Sequence, residues 1–354
     1  MDKKLNFDFK TTQKIIQKIG FIDTFKGKWM AIKEEENFYL KELKRIATIQ
    51  SIGSSTRIEG ATLTNAEVEN LLDNVKITNL KERDEQEVFG YYDVLEIILD
   101  NSQGIEVTEG NIYNLHNLLL KYSSKDKYHK GQYKQLSNKV VANYPDGSQR
   151  VIFNTTEPFL VKKEMEVLLE WTTNNLKNDN IHSLITIGAF IYEFLSIHPF
   201  QDGNGRLSRL LTTLLLIKKE YHFIRYISFE NHIEQQKKEY YRVLMNAQQH
   251  RYSEKEIIND WMLFFLNSLE ILVKKLELKY EEFKQKGPYL NERQRRILDY
   301  IKNSEPVRMG DISKSLSDVS INTIKKDILF LRKENVISKV GKGKGTLYVM
   351  KLKQ

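Results

Sequence analysis

The chain has 354 residues, 40% of them hydrophobic and 29% charged, with no cysteine and a net charge of +8. The length predicts two or three domains of ordinary globular composition, and the missing cysteine excludes disulfides, thiolate metal sites and thiol nucleophiles. The start MDKKLNFDFK has no signal-type apolar core, and no apolar run reaches the roughly 18 residues of a membrane span, so a cytoplasmic protein without a membrane partner is expected.

Apolar residues three and four apart around Phe38, Leu40, Leu43 and Ile46 predict an early amphipathic helix. Then Ser54-Ser55-Thr56-Arg57-Ile58-Glu59-Gly60 reads as a short helix capped by Ser54 or Ser55, with Glu59 projecting from its last turn and Gly60 ending it. Two β-prone runs between Lys139 and Phe153, around Pro145-Asp146-Gly147, predict a hairpin. Val161, Met165, Leu168, Leu169 and Trp171 mark the next helix. The segments Leu184 to Ile197 and Leu207 to Ile217 are apolar on nearly every face, which belongs at the centre of a bundle.

Ser253-Glu254-Lys255-Glu256 has the pattern of a capping box. A long helix is expected to follow through Trp261, Phe265, Leu269, Leu272 and Leu276 and to stop at Gly287-Pro288, a domain boundary. From Pro288 to Gln354, fifteen Lys and Arg face seven Asp and Glu, so the chain's whole positive excess lies there. Helices are predicted at Asn291–Ile301, Met309–Leu316 and Ser320–Glu334. Strands are predicted at Ile337–Val340 and Thr346–Lys351, around Gly341-Lys342-Gly343-Lys344-Gly345. Three helices and a basic hairpin look like a winged helix-turn-helix, implying DNA as a partner, or a protein if the module serves contact or dimerisation.

Between the two apolar helices lies His198-Pro199-Phe200-Gln201-Asp202-Gly203-Asn204-Gly205-Arg206-Leu207-Ser208-Arg209. This loop suits holding a nucleoside triphosphate while a hydroxyl attacks it. His198 is its one side chain able to accept a proton near neutral pH. Gly203 and Gly205 let backbone N–H groups approach phosphate oxygens, and the following helix offers its N-terminal amides to the same anion. Asn204 adds a neutral donor suited to the α-phosphate. Arg206 and Arg209, three apart on one face, suit a clamp on the β- and γ-phosphates. Asp202 is a hard oxygen ligand for Mg²⁺.

The string reads HPFxxGNGRxxR and resembles the core motif of the Fic family, enzymes that transfer AMP from ATP to protein hydroxyls. Gly131-Gln132-Tyr133-Lys134 is similar to that family's G-x-Y-R element, with Lys in place of Arg. The segment Ser55 to Gly60 resembles its inhibitory (S/T)xxxE(G/N) element. The resemblance implies a mainly α fold: a Fic-type helical bundle with a β-hairpin flap, joined to the C-terminal winged helix. The expected divisions are 1–110 with the inhibitory helix, 111–252 as catalytic core, 253–287 as long helix and linker, and 288–354 as winged helix.

It also implies a protein adenylyltransferase using Mg·ATP, with His198 as base and Asp202 as metal ligand. Phe200, Asp202, Gly203, Asn204, Gly205, Arg206 and Arg209 would bind nucleotide, and Tyr240, Tyr241 and Gln248 would line the adenosine pocket. Glu59, aimed at Arg209, would inhibit. The flap, at Val140 to Asn143, would hold a target protein's Ser, Thr or Tyr hydroxyl by strand addition. Self-modification and homo-oligomers fit this picture. Two alternatives stay open: a Fic enzyme that removes AMP or uses another phosphate-containing donor, and a DNA-binding transcriptional regulator whose Fic core senses nucleotide.

Overall fold

The computed structural model describes all residues except 33–37, 75–79, 81, 144–148, 287–289, 335, 342 and 352–354. The expected turn at Pro145-Asp146-Gly147, the boundary Gly287-Pro288 and the wing residue Lys342 lie outside the described residues. The protein is mainly α-helical. Its backbone divides into one unit of Met1–Ala31 with Lys44–Leu276 and a second of Ile32–Leu43 with Glu277–Gln354.

The first unit opens with α1 (Phe9–Met30), whose N-cap Asp8 accepts from the Thr11 amide. α2 (Phe38–Ile58) is a single 21-residue helix, not an amphipathic segment followed by a separate capped one. Ser54 and Ser55 lie in its interior, fully buried, so neither is a cap. The periodic run from Leu40 simply continues, because no residue before Gly60 stops it. α3 (Asn65–Asp73) starts at a capping box of Thr64 with Glu67, and α4 (Arg83–Asn101) and α5 (Glu109–Leu119) follow.

β1 (Lys139–Asn143) and β2 (Gln149–Asn154) form the expected antiparallel hairpin. A register shift between Val140 and Val141 bends it. α6 (Pro158–Asn178) has proline in its first turn, where the missing N–H costs nothing. α7 (Ser183–Ile197) is buried at every residue except Ile185, and α8 (Asn204–Lys218) at every residue except Gly205 and Lys218. These two are the centre of the bundle, and the loop between them is framed by rigid packing on both sides.

α9 (Phe229–Gln235), α10 (Lys237–Gln248) and α11 (Asn259–Lys286) complete this part of the chain. The capping box expected at Ser253 does not form, and α11 begins at Asn259. Glu256 is drawn instead into a buried network, where Lys4, Arg251 and the Tyr192 hydroxyl surround its carboxylate.

In the second unit, α12 (Glu292–Ser304), α13 (Met309–Ser315) and α14 (Ile321–Lys333) precede β3 (Ile337–Val340) and β4 (Leu347–Met350), an antiparallel pair. Ile297, Ile301, Ile312, Ile324, Ile328 and Leu331 form its core.

Candidate active site

His198 caps the C-terminus of α7 with φ +52° and ψ +61°. A non-glycine residue in the left-handed region is strained by about 1–2 kcal/mol, and here it turns the chain out of the helix just before Pro199, which has no N–H to continue it. The ring's Nδ1 lies 3.2 Å from the Leu195 carbonyl. A carbonyl only accepts, so Nδ1 carries the proton and Nε2 presents its lone pair. Desolvation first, and then the nearby Lys134 ammonium, bring the imidazole down to about 4. The ring is therefore neutral, in the form a base needs.

The rest of the loop is tied by its own side chains. Asn204 donates to the Phe200 carbonyl and accepts from the Phe200 amide, both at 2.8 Å. One N–H and the oxygen of its amide hold the loop closed, while the residue itself lines the pocket. Phe200 is fully buried and stacks on His116, ring centroids 3.7 Å apart. Sequence reasoning missed His116, a single buried histidine on α5. Its Nδ1 accepts from the Gly131 amide at 2.9 Å, so Nε2–H donates to the Asp202 carbonyl at 3.0 Å. Desolvation lowers it to about 4 and keeps this tautomer neutral.

Asp202 accepts from the Gly203 amide at 2.5 Å, from Arg206 at 3.1 Å and from Lys125 at 2.8 Å. Burial works against its charge, but Arg206 and then Lys125 hold the carboxyl well below the usual carboxylate range. The two arginines of the motif part company. Arg206 is buried beneath the loop, with Nη1 3.4 Å from Glu87 and Nη2 on Asp202, and it is not a wall of the pocket. Arg206 thus bonds Asp202 from outside the pocket walls, whereas Arg209 lines them.

Gly203, at φ +80°, is the N-cap of α8, and the first backbone bond of that helix reaches back to its carbonyl from Leu207. The amides of Asn204, Gly205 and Arg206 thus have no partner within the helix, which makes an anion site with the positive end of the helix dipole. Arg209, one turn on, donates Nε to Ser55 Oγ at 2.8 Å, and Nη2 to the Ser55 carbonyl at 2.9 Å and to Glu59 Oε1 at 2.8 Å. Glu59 follows the last residue of α2 in a turn closed by Gly60 at φ +106°. A Cβ added to Gly205 would lie 2.1 Å from Glu59 Oε1, so the carboxylate rests directly over that glycine.

Burial opposes the Glu59 charge, but Arg209 and more distantly Arg206 win and depress its pKa. The segment is moored by Arg57, which donates to Glu234 at 2.7 and 3.0 Å, to Asn65 at 3.0 Å and to the Leu63 carbonyl at 2.8 Å. Lys237 closes the helix end by donating to the Ile58 carbonyl at 2.8 Å.

Glu59, His198, Asp202, Gly203, Asn204, Gly205, Arg209, Tyr240 and Tyr241 share the walls of one pocket of about 220 Å³, with Val140 and Phe153 of the hairpin on another side. Tyr240 is buried against Trp261 and Tyr241. Phe200 and Gln248 are not walls: Phe200 is packed beneath the loop, and the Gln248 amide bonds Ser196 of α7. Lys134 is also buried and was missed as a contact of the loop; it is set between the hairpin and α7.

The pocket's chemistry fits a phosphate chain, because an anion, the Glu59 carboxylate, already lies in the amide and guanidinium cradle. Asp202 fits a Mg²⁺ held mainly by phosphate oxygens, since a cation, the Lys125 ammonium, rests on its Oδ2. No group of three or more His, Asp and Glu fit to hold a metal is present among the described residues. No helix among them is long and apolar enough to cross a membrane.

Residues 106–216 match the family model Fic, the Fic/DOC family. Proteins named "Protein adenylyltransferase Fic" from Drosophila grimshawi and Drosophila willistoni are 29% identical over 189 residues and 28% identical over 207 residues, covering 53% and 58% of this chain. Those matches span 36% and 39% of the relatives' own lengths, so the chain corresponds to little more than a third of either protein. Among solved structures, a Fic family protein from Desulfovibrio desulfuricans G20 aligns over 99% of this chain and 98% of its own, with TM-score 0.66 and 22% identity. Fic-1 (134–508) from C. elegans aligns over 77% of this chain and 73% of its own, with TM-score 0.58 and 18% identity. The bundle with its hairpin thus has the Fic fold, and residues 106–216 match the Fic/DOC family model.

Proposed function

We propose that the first unit is a self-inhibited protein adenylyltransferase that moves AMP from Mg·ATP to a Ser, Thr or Tyr hydroxyl of a target protein. The observation that carries this reading is the Glu59 carboxylate seated on Arg209 over Gly205, in the same pocket as His198. A base and an anion cradle share one wall, and the chain's own anion fills the cradle.

In the proposed step His198 Nε2 takes the hydroxyl proton as the oxygen attacks the α-phosphorus. The bond from that phosphorus to the bridging oxygen breaks, and pyrophosphate leaves with the electron pair. Arg209 and the amides of Asn204, Gly205 and Arg206 hold the phosphates, and Tyr240 and Tyr241 flank the adenosine. Mg²⁺, when held by Asp202 with the phosphates, offsets the charge of the leaving pyrophosphate. The target lies as an added strand along the hairpin, which selects mainly through backbone pairing. With Glu59 in place, ATP binds weakly or with its α-phosphorus displaced, and about 1 Å of displacement is enough to cost 10²-fold.

The test is mass spectrometry of Glu59→Gly after incubation with Mg·ATP, reading adenylate added to itself or to lysate proteins. Adenylate present on Glu59→Gly and absent from Glu59→Gly/His198→Ala supports the reading. Equal labelling of both, or of neither, removes it; release of AMP from a pre-labelled protein by the wild type alone would instead favour the reverse reaction.

A second reading applies to the second unit. The exposed face of α14 carries Asn322, Lys325, Lys326, Arg332 and Lys333 with no carboxylate, while its Asp327 is turned inward to Arg293 and Gln294. That face, ahead of the β3–β4 hairpin, supports a winged helix that binds DNA phosphate. Affinity for duplex DNA that falls steeply with salt supports it, and no binding at low salt excludes it.

A further inference from the structure

Lys134 is almost fully buried, and the partners of its ammonium are all neutral oxygens. It donates to Asn138 Oδ1 at 2.9 Å, to Thr155 Oγ1 at 2.6 Å and to the Ile197 carbonyl at 3.2 Å. Asn138 immediately precedes β1, Thr155 immediately follows β2, and Ile197 immediately precedes His198. Further bonds zip the same two segments together. The Lys134 amide donates to the Pro199 carbonyl at 2.8 Å, and Asn138 Nδ2 donates to the Phe200 carbonyl at 3.0 Å. One cation therefore joins both feet of the hairpin to the residue before the histidine.

We propose that Lys134 is a positioning residue that locks the feet of the β1–β2 hairpin to the backbone carrying His198, and so fixes the register in which a hydroxyl-bearing strand lies over that imidazole. The inference rests on the adenylyltransferase reading for its purpose but not for its geometry. A strand added to a hairpin is placed by the hairpin's backbone, and a slip of one residue would turn the presented hydroxyl to the opposite face. A hairpin hinged freely at Asn138 and Thr155 would hold no fixed register against His198.

An uncharged side chain would make the same span more cheaply, since burying a charge among neutral oxygens is costly. Desolvation accordingly brings the Lys134 ammonium down to about 8, against the pull of Glu157 and Glu164 and with the push of Arg251. The charge has a use on its other side. Burial first and then the Lys134 charge disfavour the protonated form of His198, opposed by Glu59 and Asp202 across the pocket. The single side chain thus links where the hydroxyl lies to the state of the base that receives its proton.

The test uses the full chain without nucleotide, so it is independent of whether AMP is transferred. Amide hydrogen exchange of residues 139–143 and the NMR titration of the His198 ring are compared in wild type, Lys134→Met, Lys134→Arg and Asn138→Ala. Lys134→Met is expected to speed hairpin exchange by about ten-fold or more, since it removes charge-assisted bonds. In the same variant the His198 midpoint is expected to rise by about one pH unit. Lys134→Arg restores both readings. Asn138→Ala keeps the charge, and so loosens the hairpin while leaving the His198 midpoint where it was. Should Lys134→Met fail to fold, Lys134→Arg and Asn138→Ala carry the test. A hairpin in Asn138→Ala as protected as wild type, or a His198 midpoint that follows the hairpin rather than the charge, would overturn the proposal. In the Glu59→Gly background, Asn138→Ala is then expected to lower the rate of labelling without changing ATP affinity.

Discussion

Glu59 and Arg209 form a pair in which a half-exposed carboxylate meets a buried guanidinium at 2.8 Å, over a glycine that leaves no room for any other residue. The remaining bonds of Arg209 go to Ser55 and to the Tyr240 side chain. On the proposed function, nucleotide and Glu59 compete for this one cation, and the pair stabilises the empty protein at the expense of the loaded one.

Replacing Glu59 by Gly should move stability and binding in opposite directions. Loss of a charge-assisted hydrogen bond costs about 1.5–3 kcal/mol, so the variant melts several degrees lower without ligand. Mg·ATP should bind it roughly ten-fold tighter or more, because that bond no longer has to be broken, and should restore the lost melting temperature. Thermal shift and calorimetry with and without Mg·ATP decide it; equal affinity in both proteins would mean that Glu59 does not occupy the phosphate site.

The same pair sets a pH dependence. Glu59 is depressed in the folded protein, so its contribution is complete above the unfolded value near 4.3 and is lost as pH falls through the lower folded value. The wild type should exceed Glu59→Gln in unfolding free energy at pH 7, with a margin that shrinks as the pH is lowered below about 4. Urea titrations across that range measure it, and a constant margin would show that the charge is not what stabilises the pair.

His198→Ala should lower AMP transfer by roughly 10²–10⁴, the usual worth of a general base, and leave ATP affinity within a few-fold. The parent, in the Glu59→Gly background, should show no acid limb in its rate between pH 5.5 and 8, since the imidazole is neutral down to about 4. An acid limb near 6.5 would mean that desolvation and Lys134 do not control this ring.

His116→Phe preserves the stack on Phe200 but strips the Asp202 carbonyl and the Gly131 amide of their partner. An unsatisfied buried group costs about 1–3 kcal/mol, so a lower melting temperature is expected together with weaker Mg·ATP binding in the Glu59→Gly protein. Wild-type values for both would reduce His116 to a packing residue.

Gly205→Ala should be damaging for two separable reasons. With Glu59 present the new methyl meets its carboxylate; with Glu59→Gly that clash is gone, but the methyl still fills the cradle beside Arg209. Mg·ATP affinity is therefore expected to fall roughly ten-fold or more in the double variant as well, judged by the bonds it blocks. Full recovery of binding in Glu59→Gly/Gly205→Ala would place the phosphates elsewhere.

The central helices and the loop between them were legible because their signal is redundant. Leu184 to Ile197 and Leu207 to Ile217 are apolar on nearly every face, and Gly203, Gly205 and Pro199 punctuate them sharply. Direction was what the sequence withheld. Arg206 and Arg209 occupy neighbouring positions of one helix turn, yet one points beneath the loop to Glu87 and the other into the pocket. Asn204 and Gln248 have amides whose partners, Phe200 and Ser196, are fixed only by folding. Ser253 to Glu256 followed a capping pattern, but Glu256 found stronger partners in Lys4 and Arg251. His116 carries no local pattern, and the G-x-Y-R likeness of Lys134 does not name its partners; both meet residues far along the chain, 86 and 63 positions away.

Arg57 anchors the turn on which Glu59 rides to α9 and to the start of α3, and Lys237 secures the last carbonyl of α2. Backbone so firmly fastened does not swing aside, so on the proposed function the carboxylate leaves by rotation about its own side-chain bonds once its bond to Arg209 breaks. Such a gate needs no movement of the backbone. On the proposed function it opens in proportion to how much triphosphate competes for Arg209, and resting output becomes a readout of nucleotide supply.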